Sequence, residues 1–229
     1  MATVSRVTVE HFDLGKESSD SGAFVRQDSR FRDAVTADGS SGFPAAAGRY
    51  HLYVAKACPW AHRTLIVRAL KGLEGAIDVS YVHPYRDERG WAFPGGDHVD
   101  QLNGFGFLSE AYERSDASFE GRVSVPVLWD KVNGTIVNNE SADIIRMLNS
   151  EFDAFAEHPE VDLYPEYLRP EIDRLNDRIY AEINNGVYRA GFSRTQEAYD
   201  EAFDTLFAAL AWVEELLGER RYLAGDVIT

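Results

Sequence analysis

Between Tyr50 and Val82 the sequence changes its apolar period twice, and that change constrains the fold more than any other feature. Tyr50 to Val54 is a short aromatic and branched run that reads as a strand. Trp60 to Leu70 carries apolar residues at helical spacing and stops at Gly72, and Ile77 to Val82 reads as a second strand. Two strands joined through a helix form a β-α-β unit, for which parallel pairing and a right-handed crossover are the defaults. The chain's only cysteine, Cys58, falls where the first strand gives way to the helix. A helix start presents unpaired backbone N–H groups and the positive end of the macrodipole, which favour a thiolate and bring comparable thiols from a pKa of about 8.5 to roughly 3.5 to 7.5.

In two-cysteine oxidoreductases the same turn reads Cys-x-x-Cys, whereas here the fourth position is Ala61 and no second cysteine exists. If Cys58 is catalytic, the thiol that resolves its mixed disulfide must come from solution, and a small cellular thiol such as glutathione is implied. The competing reading is a buried cysteine acting as a small apolar residue.

Downstream, His83 to Asp100 is a loop rich in glycine and proline, and Leu108 to Arg114 reads as a short helix. Val123 to Asp130 is an apolar strand interrupted by Pro126. It is followed by Asn133-Gly134, a strong hairpin signal, and a strand from Thr135 to Val137. Ser141 is the natural N-cap of a helix from Ala142 to Leu148. The order β-α-β, irregular segment, β-β-α is that of the thioredoxin-like fold. From Glu151 the character changes to a proline-bearing linker and then to helical spacing at Ile172, Leu175, Ile179 and Ile183, and again from Tyr199 to Leu217. The expected division is an extended N-terminal arm over 1–48, a thioredoxin-like α/β domain over 49–150 and an all-α domain over 151–229. The last residues, Tyr222 to Thr229, read as a helix exit and a new helix start, so the helical domain is expected to be incomplete.

The net charge of −15 over 229 residues and the lack of a basic stripe argue against nucleic acid. No apolar run approaches the roughly 20 residues of a membrane span, and Met1 to Glu10 lacks a signal-peptide core, so a cytoplasmic location without membrane contact is expected. The single cysteine agrees with a reducing compartment. Only four lysines accompany the many acidic residues, a bias that either a high-GC genome or a salt-rich cytoplasm would give, with a lean toward the second. His51, His62 and His83 lack metal-site spacing, and no metal is expected.

Six strings in the right order resemble the glutathionyl-hydroquinone reductases, the Xi class of glutathione S-transferases: Arg49 to Val54, Cys58 to Ile66, Arg89 to Phe93, Val125 to Asp130, Asn139 to Ile145 and Asn184 to Phe192. The likeness covers about residues 24 to 229, and the family continues past Thr229, so the chain resembles a C-terminally truncated member. The resemblance implies glutathione as cosubstrate, an aromatic hydroquinone conjugate as substrate, and a homodimer. It implies that the Cys58 thiolate attacks the glutathione sulfur of the conjugate, and that a second glutathione regenerates the thiol. A cis Val125-Pro126 bond would turn the Val125 backbone toward the peptide, allowing strand-like pairing. Glu140 and Ser141 would hold the γ-glutamyl ammonium and carboxylate at a helix start. Trp91 and Arg122 would pack on glutathione and hold its glycyl carboxylate. Tyr188 would line the aromatic pocket and help protonate the departing ring, with Tyr164 a weaker candidate. His62, four residues after Cys58, would share its helix face. Two rival functions share parts of this reading: an omega-type thiol transferase or dehydroascorbate reductase that also uses Cys58, and a glutathione-binding module without turnover.

Overall fold

The computed structural model describes residues 17–87 and 89–229. The described residues divide into two compact units, one comprising residues 28–161 and the other residues 17–27 with 162–229. The dividing point lies beyond the expected boundary at Glu151 because residues 151–161 stay with the first unit. Lys71, fully buried at the end of its helix, binds them through the Pro159 and Val161 carbonyls at 3.3 and 2.8 Å and the Asp153 carboxylate at 2.6 Å.

The first unit is built on a four-stranded sheet in the order β2-β1-β3-β4. β1 (Tyr50–Val54) runs parallel to β2 (Ile77–Tyr81) and antiparallel to β3 (Val127–Asp130), which pairs antiparallel with β4 (Thr135–Asn138). Every residue of β1 and β3 is buried, as expected of central strands covered on both faces. The connection from β1 to β2 is α1 (Pro59–Leu70), followed later by α2 (Ser109–Ser115) and α3 (Ser141–Ser150). α1 ends in a Schellman motif: Gly72 takes φ +63°, its N–H reaches the Ala69 carbonyl at 3.0 Å, and the Leu73 N–H reaches Arg68 at 2.9 Å.

Three expectations need correction. The third strand begins at Val127 rather than Val123, because Pro126 has no N–H to give the ladder. The N-cap of α3 is Glu140, whose carboxylate accepts from the Ala142 N–H at 3.2 Å, and Ser141 is the first helical residue. The N-terminal stretch is not one arm. Within the first unit, the Asp33 N–H donates to Val137 and the Asn139 N–H to Phe31, both at 3.1 Å, so residues 31–33 cover the β4 edge. Residues 17–27 belong to the helical unit, where the buried Phe24 stands beside Phe192 with centroids 5.5 Å apart. Phe12 lies outside the described residues.

The second unit contains α4 (Arg169–Ile179), a π-helical stretch Tyr180–Asn184, α5 (Gly186–Gly191) and α6 (Gln196–Glu219). Ile172, Leu175 and Ala224 form a buried cluster against which Trp212 and Leu216 of α6 pack. Tyr199, Phe203, Phe207, Leu210 and Leu217 form an exposed apolar stripe on α6. Among the described residues no helix is long and apolar enough to cross a membrane.

Candidate active site

Cys58 is the N-cap of α1, with extended backbone angles and Pro59 as the first helical residue. This follows from sequence locally: proline tolerates the first helical position, and the residue before it is driven out of the α region. The Cys58 carbonyl accepts the His62 N–H at 3.0 Å, which leaves the side chain at the helix mouth. The thiol is half-buried and donates to the Val125 carbonyl at 3.6 Å. The Val125-Pro126 bond is cis. Among the described residues no hydrogen bond involves the Val125 N–H, so this segment carries a backbone donor and acceptor beside the sulfur. Cys58 is therefore half-buried at the start of α1 rather than enclosed in the core.

Glu140 and Ser141 reach the same helix through Arg63, a residue to which the sequence reading gave no role. Its guanidinium donates to the Ser141 hydroxyl through Nε at 3.0 Å and Nη2 at 2.7 Å, stands 3.7 Å from Glu140 Oε1, and lies over the Trp60 ring at 5.0 Å. The other oxygen of Glu140 accepts from Ser29 at 2.9 Å. His62, expected to support the thiolate, is exposed.

Tyr112 of α2 is a second residue that the sequence gave no reason to single out. Its buried hydroxyl donates to the Ser124 carbonyl at 2.8 Å and accepts from Asn139 Nδ2 at 3.1 Å. It thus ties the residue before Val125 to the residue before Glu140. Burial raises its proton affinity further above the ordinary phenol, so it stays neutral as a fixed strut. Arg122 is half-buried, and its charge is felt at this hydroxyl. Trp91 is half-buried in the loop after β2, its carbonyl taking the Leu108 N–H at 2.9 Å and its ring lying 5.9 Å from the Arg86 guanidinium. The contacts thus bring Cys58, Val125, Glu140 and Ser141 together, while Trp91 and Arg122 belong to the loops of the same unit.

In the helical unit, Tyr188 lies on α5 with the Arg26 guanidinium 4.3 Å over its ring, and Arg26 Nε donates to Asn185 Oδ1 at 2.7 Å. The Tyr164 hydroxyl donates to the Asp173 carboxylate at 2.6 and 2.8 Å, and its side chain packs against the Ile172, Leu175 and Ala224 cluster. Among the described residues no cluster of three His, Cys, Asp or Glu is arranged to hold a metal.

Residues 57–151 match the glutathione S-transferase N-terminal domain family. The glutathionyl-hydroquinone reductase PcpF of Sphingobium chlorophenolicum is 53% identical over 213 residues, covering 92% of this chain and 66% of that protein. YqjG of Escherichia coli, also named a glutathionyl-hydroquinone reductase, is 52% identical over 223 residues, covering 92% and 67%. The glutathione-bound structure of YqjG superposes with a TM-score of 0.84 over 87% of this chain and 68% of that one. The glutathione S-transferase Xi of Phanerochaete chrysosporium gives a TM-score of 0.88 at 45% identity, covering 93% of this chain and 69% of that one. The chain spans about two thirds of the length of these relatives. With this similarity joined to the thioredoxin-like sheet and the cysteine at its first helix, the chain belongs to the glutathione S-transferases, in the Xi-class family of the glutathionyl-hydroquinone reductases.

Proposed function

We infer that the protein removes glutathione from glutathionyl-hydroquinones. The observation that carries this reading is a lone thiol at a helix mouth, 3.6 Å from the backbone carbonyl of Val125. The Cys58 thiolate attacks the glutathionyl sulfur, the bond from that sulfur to the ring breaks, and its electron pair takes a proton at the ring carbon. Hydroquinone leaves and Cys58 is held as a mixed disulfide with glutathione. A second glutathione attacks the glutathionyl sulfur of that disulfide, releasing oxidised glutathione and the Cys58 thiolate.

The remaining roles follow from chemistry that the geometry supports. The Val125 N–H and C=O pair with the cysteinyl part of glutathione as an added strand would. Glu140 takes the γ-glutamyl ammonium, and the start of α3 with Ser141 takes its carboxylate. Trp91 packs on the peptide and Arg122 receives the glycyl carboxylate, supplying the local cation that a strongly acidic protein needs to accept an anion. Tyr188, under the Arg26 cation, hydrogen-bonds the hydroquinone oxygen and assists ring protonation. By the same reading the enzyme works in the cytoplasm, as a homodimer, without a metal.

Steady-state rates with a glutathionyl-hydroquinone and with a glutathionylated small disulfide test the assignment. The account predicts preference for the aromatic conjugate. Faster turnover of the disulfide would make the protein an omega-type thiol transferase, and no turnover of either would make it a binding module.

A further inference from the structure

The geometry points to Arg63 as the positioning residue that turns the Ser141 hydroxyl into a hydrogen-bond donor beside a fixed positive charge, and so selects a carboxylate at the γ-glutamyl end of the ligand. The proposal rests on the glutathione reading of this site. A serine hydroxyl has one hydrogen to give and two lone pairs to accept with. Arg63 directs two N–H groups at the same oxygen, from Nε at 3.0 Å and Nη2 at 2.7 Å, and because both nitrogens sit on one carbon they occupy a single side of it, from which the hydroxyl hydrogen must turn away. The hydroxyl therefore points its proton away from the guanidinium. Its one acceptor within reach among the described residues, Glu140 Oε1, is distant at 3.4 Å, so a better acceptor can capture that proton.

The arrangement is held from several sides. Ser141 is buried at the first turn of α3, and the guanidinium rests over Trp60 at 5.0 Å while facing Glu140 at 3.7 Å. Glu140 is in turn fixed by Ser29 at 2.9 Å and by the Ala142 N–H at 3.2 Å. Arg63 therefore spans from the helix that Cys58 caps to the pair that receives the amino-acid end of the peptide. A ligand oxygen carrying negative charge gains the Ser141 proton, the Arg63 field and the helix start together. A carboxamide in its place offers a weaker acceptor, carries no charge for the Arg63 field to attract, and brings N–H donors toward a cation.

The test measures binding of S-methylglutathione, which cannot react at Cys58, and of the same peptide with its γ-glutamyl α-carboxylate converted to a carboxamide. Calorimetry is run on the wild type, Arg63→Met and Arg63→Lys. Wild type is expected to prefer the carboxylate form by roughly 10-fold or more, the scale of a hydrogen bond to a charged group. Arg63→Met is expected to lose most of that preference, by weakening the carboxylate peptide while leaving the carboxamide peptide within about twofold, and Arg63→Lys to recover part of it. An equal loss for both peptides would assign Arg63 a merely structural role and overturn the proposal, as would an unchanged preference. If the wild type binds neither peptide, the glutathione reading itself falls, an outcome separate from the first two.

Discussion

Acidification should weaken this protein through one residue of the central strand, His51. The imidazole is 5% exposed, lies opposite Asp78 of β2 and Trp129 of β3, and sits 4.7 Å from the Tyr53 ring. Burial, reinforced by the charges of Lys131 and Arg68 and only partly countered by Asp100 and Asp78, pushes its pKa down to about 4. In the unfolded chain it returns to the ordinary histidine value of about 6.5. The folded state therefore binds the proton less well. Its contribution is fully present above pH 6.5 and is lost as pH falls through 6.5 toward 4. At pH 5 the unfolded chain is mostly protonated at this site and the folded chain is not, a difference of about 2 kcal/mol. Urea unfolding of the wild type and of His51→Leu at pH 8 and pH 5 measures it. The wild type should lose about 2 kcal/mol more than the variant over that interval, because other titrating groups are common to both. Parallel losses in the two proteins would refute the reasoning, as would a nuclear magnetic resonance titration placing the folded His51 near 6.5.

Gly72→Ala should cost about 2 kcal/mol or more and lower Tm, since a side chain there takes positive φ and its Cβ would stand 2.6 Å from that of Glu157; an unchanged Tm would contradict this. Arg49→Met should destabilise by about 3 kcal/mol in urea, because it strips the bidentate partner, at 2.9 and 2.6 Å, from the fully buried Asp130. Although burial opposes ionisation, the Arg49 guanidinium holds that carboxyl below its usual range, so a loss under about 1 kcal/mol would show the pair to be solvated. Tyr188→Phe should lower kcat for a glutathionyl-hydroquinone by about 100-fold while leaving the reaction of glutathione with preformed Cys58 mixed disulfide unchanged, as loss of a general acid acting only in the first step requires.

The elements legible in the sequence were those whose pattern is local. The β1-α1-β2 unit followed from apolar period and from Gly72, the hairpin from Asn133-Gly134, and the placing of Cys58 from Pro59 beside it. What escaped depends on pairs brought together only by folding. Arg63 is one more polar residue of α1 until that helix packs on α3, and Tyr112 is one aromatic among many until Ser124 and Asn139 meet at its hydroxyl. The cap of α3 was misplaced by one residue because Ser141 has the stronger propensity, whereas its hydroxyl is taken by Arg63 and the Glu140 carboxylate reaches the free N–H instead. The polar stretch before Gly48 hid two separate associations, one along β4 and one around Phe24, since neither leaves a period in the sequence.

The central claim is that Cys58 takes the glutathionyl group itself. One equivalent of protein, reduced and freed of glutathione, is mixed with a glutathionyl-hydroquinone and read by intact mass and peptide mapping. The account predicts a single glutathionyl adduct at Cys58 with one equivalent of hydroquinone released, and neither from Cys58→Ser. Release of hydroquinone without an adduct, or undiminished release by the serine variant, would contradict it.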